Sequence, residues 1–289
     1  MRILVIGASG QVARALAAQA GAHEVIRAGR PQVDLSHPTG LADLIGQVAP
    51  DAIINAAAYT AVDKAETEIA AARALNETGP AALARAAAAR RLPFVHISTD
   101  YVFNGLGGAP YSEADETAPL NVYGQTKADG EAAVLAAHPS ALVVRTSWVY
   151  APEGHNFVRS MLRLAAEKDA LNVVEDQFGR PTEAHALADA LIDLAGQLQA
   201  GAEGGLLHVA NSGEASWRDL AEAAISGAGL TTPVTGIRTS DWPTAARRPG
   251  DTRLDLTRAR EVYGIALPDW RESLTRCLEM MGLGGRRAS

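Results

Sequence analysis

Between residues 2 and 146 the chain alternates short, nearly unbroken apolar runs with segments of helical periodicity, and few folds accommodate that alternation. The runs RILVI (Arg2 to Ile6), Glu24 to Arg27, AIINAA (Ala52 to Ala57), FVHIS (Phe94 to Ser98) and ALVVRT (Ala141 to Thr146) read as strands. Helices are expected over Gln11 to Ala20, Leu41 to Val48, after Val62, over Thr78 to Arg91 and over Gly124 to Ala137. Strands that are apolar on both faces need cover on both faces, and intervening helices supply it when the strands run parallel. The expected class is α/β, a doubly wound parallel sheet. After Val149 longer helices dominate (Asn156 to Glu167, Glu183 to Gln199, Trp217 to Ile225, Trp270 to Met281), with short strands near Leu171 to Val174 and Leu206 to Ala210.

A chain of 289 residues suits about two compact units of ~150 residues each. The expected organisation is a nucleotide-binding unit over 1–149, a smaller C-terminal α/β lobe over 150–283 with segments free to rejoin the main sheet, and a tail over 284–289. A net charge of −7 offers no overall footprint for nucleic acid or an anionic membrane. The opening MRILVIGASG lacks the apolar stretch of a secretory leader, and no run approaches the ~20 apolar residues of a membrane span, so a cytoplasmic protein is expected. The single cysteine, Cys277, cannot form an intramolecular disulfide and reads as a small buried apolar residue.

Gly7-Ala8-Ser9-Gly10-Gln11-Val12-Ala13 ends the first strand and opens a helix. Gly7 permits the tight turn, Gly10 lets backbone approach a pyrophosphate, and the helix N-terminus supplies free N–H groups and the positive end of the dipole. This placement makes the sheet Rossmann-type and the ligand a dinucleotide. The second strand leads into Arg27-Ala28-Gly29-Arg30, where an acid would select a free ribose 2′-hydroxyl and an arginine accepts a 2′-phosphate. Arg30, or Arg27, therefore points to NADPH, with NADH left open. Asp34 and Leu35 follow at a spacing suited to the adenine edge.

Tyr123 and Lys127 stand four residues apart, on one face of a helix. Free tyrosine titrates near ~10, and a neighbouring ammonium favours the phenolate, so the expectation is a Tyr123 whose pKa Lys127 lowers. Ser98-Thr99-Asp100 ends the fourth strand, at the sheet edge where open parallel sheets bind ligands. The seven histidines are scattered without ligand spacing, and no metal is expected.

The blocks GASGQV, NAAAYTAVDKAE, STDYVFNG, PLNVYGQTKADGE, RTSWVY, NFV, DQFGRPT and RRPGDTRLD together resemble the dTDP-4-dehydrorhamnose reductase family, a branch of the extended short-chain dehydrogenases/reductases, from Met1 to about Leu283. The family usually has glycine where this chain has Ala13. The resemblance implies a catalytic set of Thr99, Tyr123 and Lys127, with Tyr123 as proton donor and Thr99 on the C4 oxygen. It implies that Gly10, Gln11 and Val12 line the cofactor pyrophosphate and that Ala56, Ala57 and Ala58 line its centre. Asp100 and Trp148 would meet the sugar, and Arg180 and Arg248 the diphosphate. The implied reaction is reduction of the C4 ketone of dTDP-4-dehydro-6-deoxy-L-mannose to dTDP-β-L-rhamnose, and a homodimer is an assembly the resemblance allows. Two alternatives stay open: another nucleotide-sugar reductase or epimerase of the superfamily, and a non-catalytic regulatory subunit similar to that of methionine adenosyltransferase.

Overall fold

The computed structural model of the chain describes residues 1–283; the expected tail over 284–289 lies outside the described residues. Five strands of the first half, β1 (Arg2–Ile6), β2 (Glu24–Ala28), β3 (Ala52–Asn55), β4 (Phe94–Thr99) and β5 (Leu142–Thr146), lie parallel in the order β2-β1-β3-β4-β5. The strand Gly205–His208 adds a sixth, parallel to β5 at the far edge. The chain leaves β1 for β2 on one side and returns to β3 on the other. The carboxyl ends of β1 and β3 therefore form the switch point at which such sheets bind ligands.

Alternate residues of each strand face opposite sides of the sheet, and both sides are buried. Ile3, Val5, Ile54, Val95, Leu142 and Val144 pack against helix α1 (Gln11–Ala18) and against Leu187, Leu191 and Leu194 of the helix Ala184–Gln199. Leu4, Ile6, Ile53, Phe94 and Val143 pack on the other side against α2 (Leu41–Val48), against Leu83 and Ala87 of one later helix and against Val134 of another. The helices of residues 62–137 are α3 (Val62–Ala65), α4 (Ile69–Arg73), α5 (Gly79–Ala88) and α6 (Val122–Ala137), with a π-helical turn over Ala74–Thr78. The chain after Val149 thus returns to the sheet as a covering helix and as a strand, and Ala259 and Tyr263 of the helix Thr257–Tyr263 join the same core.

The remaining segments build a second core, in which the helices Phe157–Glu167, Trp217–Gly227 and Trp270–Met280 enclose Tyr150, Val158, Leu220, Trp270, Leu274 and Cys277. Cys277 is fully buried there. Among the described residues no helix is long and apolar enough to cross a membrane.

Candidate active site

A cavity of about 410 Å³ opens at the switch point between the two cores. Its walls come from the turn after β1, the ends of β3, β4 and β5, the first turns of α6, and Trp217.

Gly7 is required by the protein itself. Its φ is +119°, and a Cβ there would sit 2.9 Å from the Ala57 amide nitrogen, so a side chain is excluded on both counts. Gly10 differs. A Cβ at Gly10 would meet nothing closer than 3.9 Å, and Gly10 is the N-cap of α1, which leaves the first amides of the helix with no side-chain cap. The chain leaves a bare helix N-terminus facing open space beside Gln11, Val12 and Ala56 to Ala58, which fits a pyrophosphate. Arg27 holds the turn from outside, donating to the Ala8 carbonyl at 3.0 Å. Arg30 lies close enough to Asp34 to help hold its carboxyl below the usual range, although the Ser36 hydroxyl and amide act on Asp34 more strongly. Neither Asp34 nor Leu35 lines the cavity, and Leu35 is part of the core.

Thr99 ends β4, and its hydroxyl accepts from the Tyr101 amide (3.2 Å) while lying 3.1 Å from an Asp100 oxygen. The other Asp100 oxygen accepts from the Thr252 hydroxyl, which arrives from the C-terminal lobe. Burial pushes the Asp100 carboxyl up to about 7, against the pull of these two hydroxyls.

Helix α6 starts two residues earlier than expected, because the Asn121 side chain caps it by accepting from the Gly124 amide at 2.8 Å. Gly124 then lets the helix press on the β4 turn, since a Cβ there would overlap the Tyr101 carbonyl oxygen. That approach seats Tyr123 against Thr99 and, edge to face, against Tyr101 with ring centres 5.7 Å apart.

Tyr123 corrects one expectation. Burial raises its pKa to about 12; the Thr99 hydroxyl pulls it down, and Asp100 pushes it up further. Lys127 makes no hydrogen bond to it. The Lys127 ammonium donates to the Ile97 carbonyl at 2.7 Å, and burial lowers its own pKa to about 8, opposed by Glu131. One turn beyond, Glu131 forms a buried two-point pair with Arg145 of β5 (2.6 and 2.9 Å) and accepts from Ser98. This pair fixes α6 to both β4 and β5.

Trp148 follows β5 in the left-handed backbone region at φ +48° and lines the cavity. It stacks on Trp217, which sequence reasoning did not single out; a tryptophan at a helix start carries no signal that separates cavity wall from core. Thr252 was likewise missed, hidden within RRPGDTRLD.

The two arginines expected at the diphosphate divide. Arg180 is not brought to the cavity: its guanidinium donates to the Leu254 and Gly213 carbonyls, so its donors serve the fold. Arg248 pairs with Asp63 of α3 through two bonds (2.8 and 3.1 Å) and lines an adjoining cavity of about 310 Å³, which shares Trp217 as a wall.

Residues 1–282 match the family model described as the RmlD substrate binding domain. A dTDP-4-dehydrorhamnose reductase of Sinorhizobium fredii is 44% identical over 296 residues, covering 100% of both chains. That of Escherichia coli K12 is 42% identical over 294 residues, covering 96% of this chain and 97% of the relative. Among solved structures, a dTDP-4-dehydrorhamnose reductase from Clostridium acetobutylicum superposes with a TM-score of 0.92 at 34% identity, covering 98% of this chain and 100% of the other. One from Bacillus anthracis, in complex with NADP, gives 0.91 at 32% identity over 96% and 99%. A UDP-glucose 4-epimerase from Brucella ovis, 19% identical with a TM-score of 0.83, shares the fold. With residues 1–282 matched by the family model and relatives of 34–44% identity covering 96% of the chain or more, the chain belongs to the dTDP-4-dehydrorhamnose reductase family.

Proposed function

We propose that the 410 Å³ cavity is the active site of a reductase that uses NADPH to convert the C4 ketone of dTDP-4-dehydro-6-deoxy-L-mannose to the alcohol of dTDP-β-L-rhamnose. The observation that carries this reading is that Thr99, Tyr123 and Lys127 meet the bare N-terminus of α1 in one cavity. The relatives' names and the NADP-bound relative support the substrate and cofactor.

When bound, the dihydronicotinamide supplies the hydride; Gly10, Gln11 and Val12 would hold its pyrophosphate and Ala56 to Ala58 its centre. Arg30, with Arg27, would take a ribose 2′-phosphate. The protein's part is then proton supply and charge. With its pKa near 12, Tyr123 is fully protonated at neutral pH and still a far stronger acid than the alcohol formed, so it can donate to the developing alkoxide. Thr99 lies where it can hydrogen-bond that same oxygen, and the Lys127 ammonium adds positive charge close by in a buried site. Asp100 and the Trp148 ring face the sugar, and Arg248 stands in the adjoining cavity for the diphosphate. In this reading the sheet carries the cofactor and the substrate is held between it and the C-terminal lobe.

The test is NADPH consumption by the purified protein with this nucleotide sugar, with the product identified by NMR. Stoichiometric formation of dTDP-β-L-rhamnose is expected, and no turnover at micromolar enzyme overturns the assignment.

A further inference from the structure

His96 and Asn55 are paired residues of neighbouring strands, both fully buried, beside Lys127. The Ala57 amide donates to Asn55 Oδ1 at 3.2 Å, which settles the two ends of that side-chain amide. Asn55 Nδ2 therefore faces His96 Nδ1, at 3.0 Å. An amide NH₂ can only donate, so Nδ1 accepts and carries no proton. Burial, followed by the charge of Lys127, keeps the His96 ring neutral. A neutral imidazole has one N–H, which places it on Nε2, 3.4 Å from Lys127 Nζ.

Toward an ammonium that arrangement sets donor against donor. Toward a neutral amine it is a hydrogen bond. We infer that His96, locked by Asn55 in its Nε2–H tautomer, is a positioning residue that loosens the proton on Lys127, giving the amine a donor and denying the ammonium an acceptor. The Ile97 carbonyl accepts from Nζ in either state. Of the other ionisable groups around it, Glu131 favours the ammonium but is bonded to Arg145 of β5 and Ser98 of β4. Tyr123, one turn back on α6, is neutral, and Asp100 at the end of β4 bonds Thr252. Lys127 can thus lose and regain a proton without leaving a buried amine unpaired. The reductase reading uses Lys127 only as a positive charge; this inference rests on that reading for its place in turnover and adds a control over the charge itself.

Two spectroscopic readouts test it without turnover. In histidine-labelled protein, long-range ¹H–¹⁵N spectra should show His96 with a proton on Nε2 and a bare Nδ1 throughout pH 6 to 9. The chain has three lysines, Lys64, Lys127 and Lys168, so the Lys127 signal can be assigned by its loss in Lys127→Met. In His96→Gln a carboxamide oxygen can accept from the ammonium, and the Lys127 midpoint should rise by about one pH unit, a tenfold gain in proton affinity. A purely structural role for His96 would leave that midpoint in place. A proton on Nδ1, or an unmoved Lys127 midpoint in folded His96→Gln, overturns the inference. Should His96→Gln not fold, the tautomer of the unaltered protein decides alone. Failure of the unaltered protein to oxidise NADPH with the nucleotide sugar overturns the reductase reading and leaves both readouts standing.

Discussion

Trp148 lies flat on Trp217, with ring centres 3.6 Å apart and planes within 5° of parallel. The first follows the end of β5 and the second opens the helix Trp217–Gly227, so the stack joins the sheet to the C-terminal lobe at the cavity wall. Trp148 reaches it from φ +48°, a conformation that costs a bulky residue about 1–3 kcal/mol. Trp217 is held in turn by its indole N–H, which donates to Gln177 at 3.1 Å, and by Phe157 against its ring at 4.6 Å. A strained backbone offset by a fixed partner makes a rigid platform at the site.

Trp217→Ala should therefore act on substrate more than on cofactor. Removing the partner ring frees Trp148 and forfeits about 1.5 kcal/mol of aromatic pairing, or roughly a tenfold rise in KM for the nucleotide sugar. The NADPH dissociation constant, read by fluorescence titration, should stay within twofold. Equal losses in both would assign Trp217 to general packing.

Tyr123→Phe removes the hydroxyl and keeps the ring that contacts Tyr101. Loss of the proton donor should lower kcat by about 10²–10⁴. Cofactor affinity should hardly change. Single-turnover kinetics beside a binding titration separates the two, and near-normal turnover would remove Tyr123 as the acid.

The sheet was legible because its strands are short, apolar and bounded by turns; β1 and α2 lie at the ends read from the sequence. Starts and stops that depend on side-chain caps were less so. The onset of α6 rests on Asn121 reaching the Gly124 amide, a contact that spacing alone did not reveal. The motif residues Thr99, Tyr123, Lys127 and Trp148 converge on one cavity, whereas Arg180 turns its donors to carbonyls of the fold. The charge state of the site was the least legible part. The effect of Lys127 on Tyr123 was inferred from their spacing, but direction decides it, and the ammonium points at Ile97. Trp217, Thr252 and the Asn55–His96 pair act through contacts between segments distant in the chain, which no local pattern records.

Glu131→Gln should be among the more destabilising single changes on α6. Arg145 is 2% exposed and both of its bonds to Glu131 are charge-assisted, so the amide leaves a buried guanidinium without its counter-charge. Breaking a buried pair from one side costs about 3–5 kcal/mol. Replacing both partners, as Glu131→Met with Arg145→Met, should regain much of that. Urea denaturation of the three proteins checks the ordering; a single variant as stable as the unaltered protein would show that the pair contributes little.

Asp100 gives the fold a pH dependence of defined sign. Its carboxyl titrates near 7 in the folded chain and near 3.8 when unfolded, so between those values the folded state holds a proton that the unfolded state has lost. Stability from this group is fully present below about pH 3.8 and is lost as pH rises toward 7. Above pH 7 the folded chain carries a buried carboxylate whose formation has cost about 4 kcal/mol. Asp100→Asn keeps the shape, can still accept from Thr252, and does not titrate. Relative to the unaltered protein, the variant should thus be more stable at pH 8 than at pH 4, by about that amount. Denaturant midpoints for both proteins at several pH values measure the difference, and a gap that stays constant from pH 4 to 8 would place the folded-state pKa of Asp100 at its ordinary value.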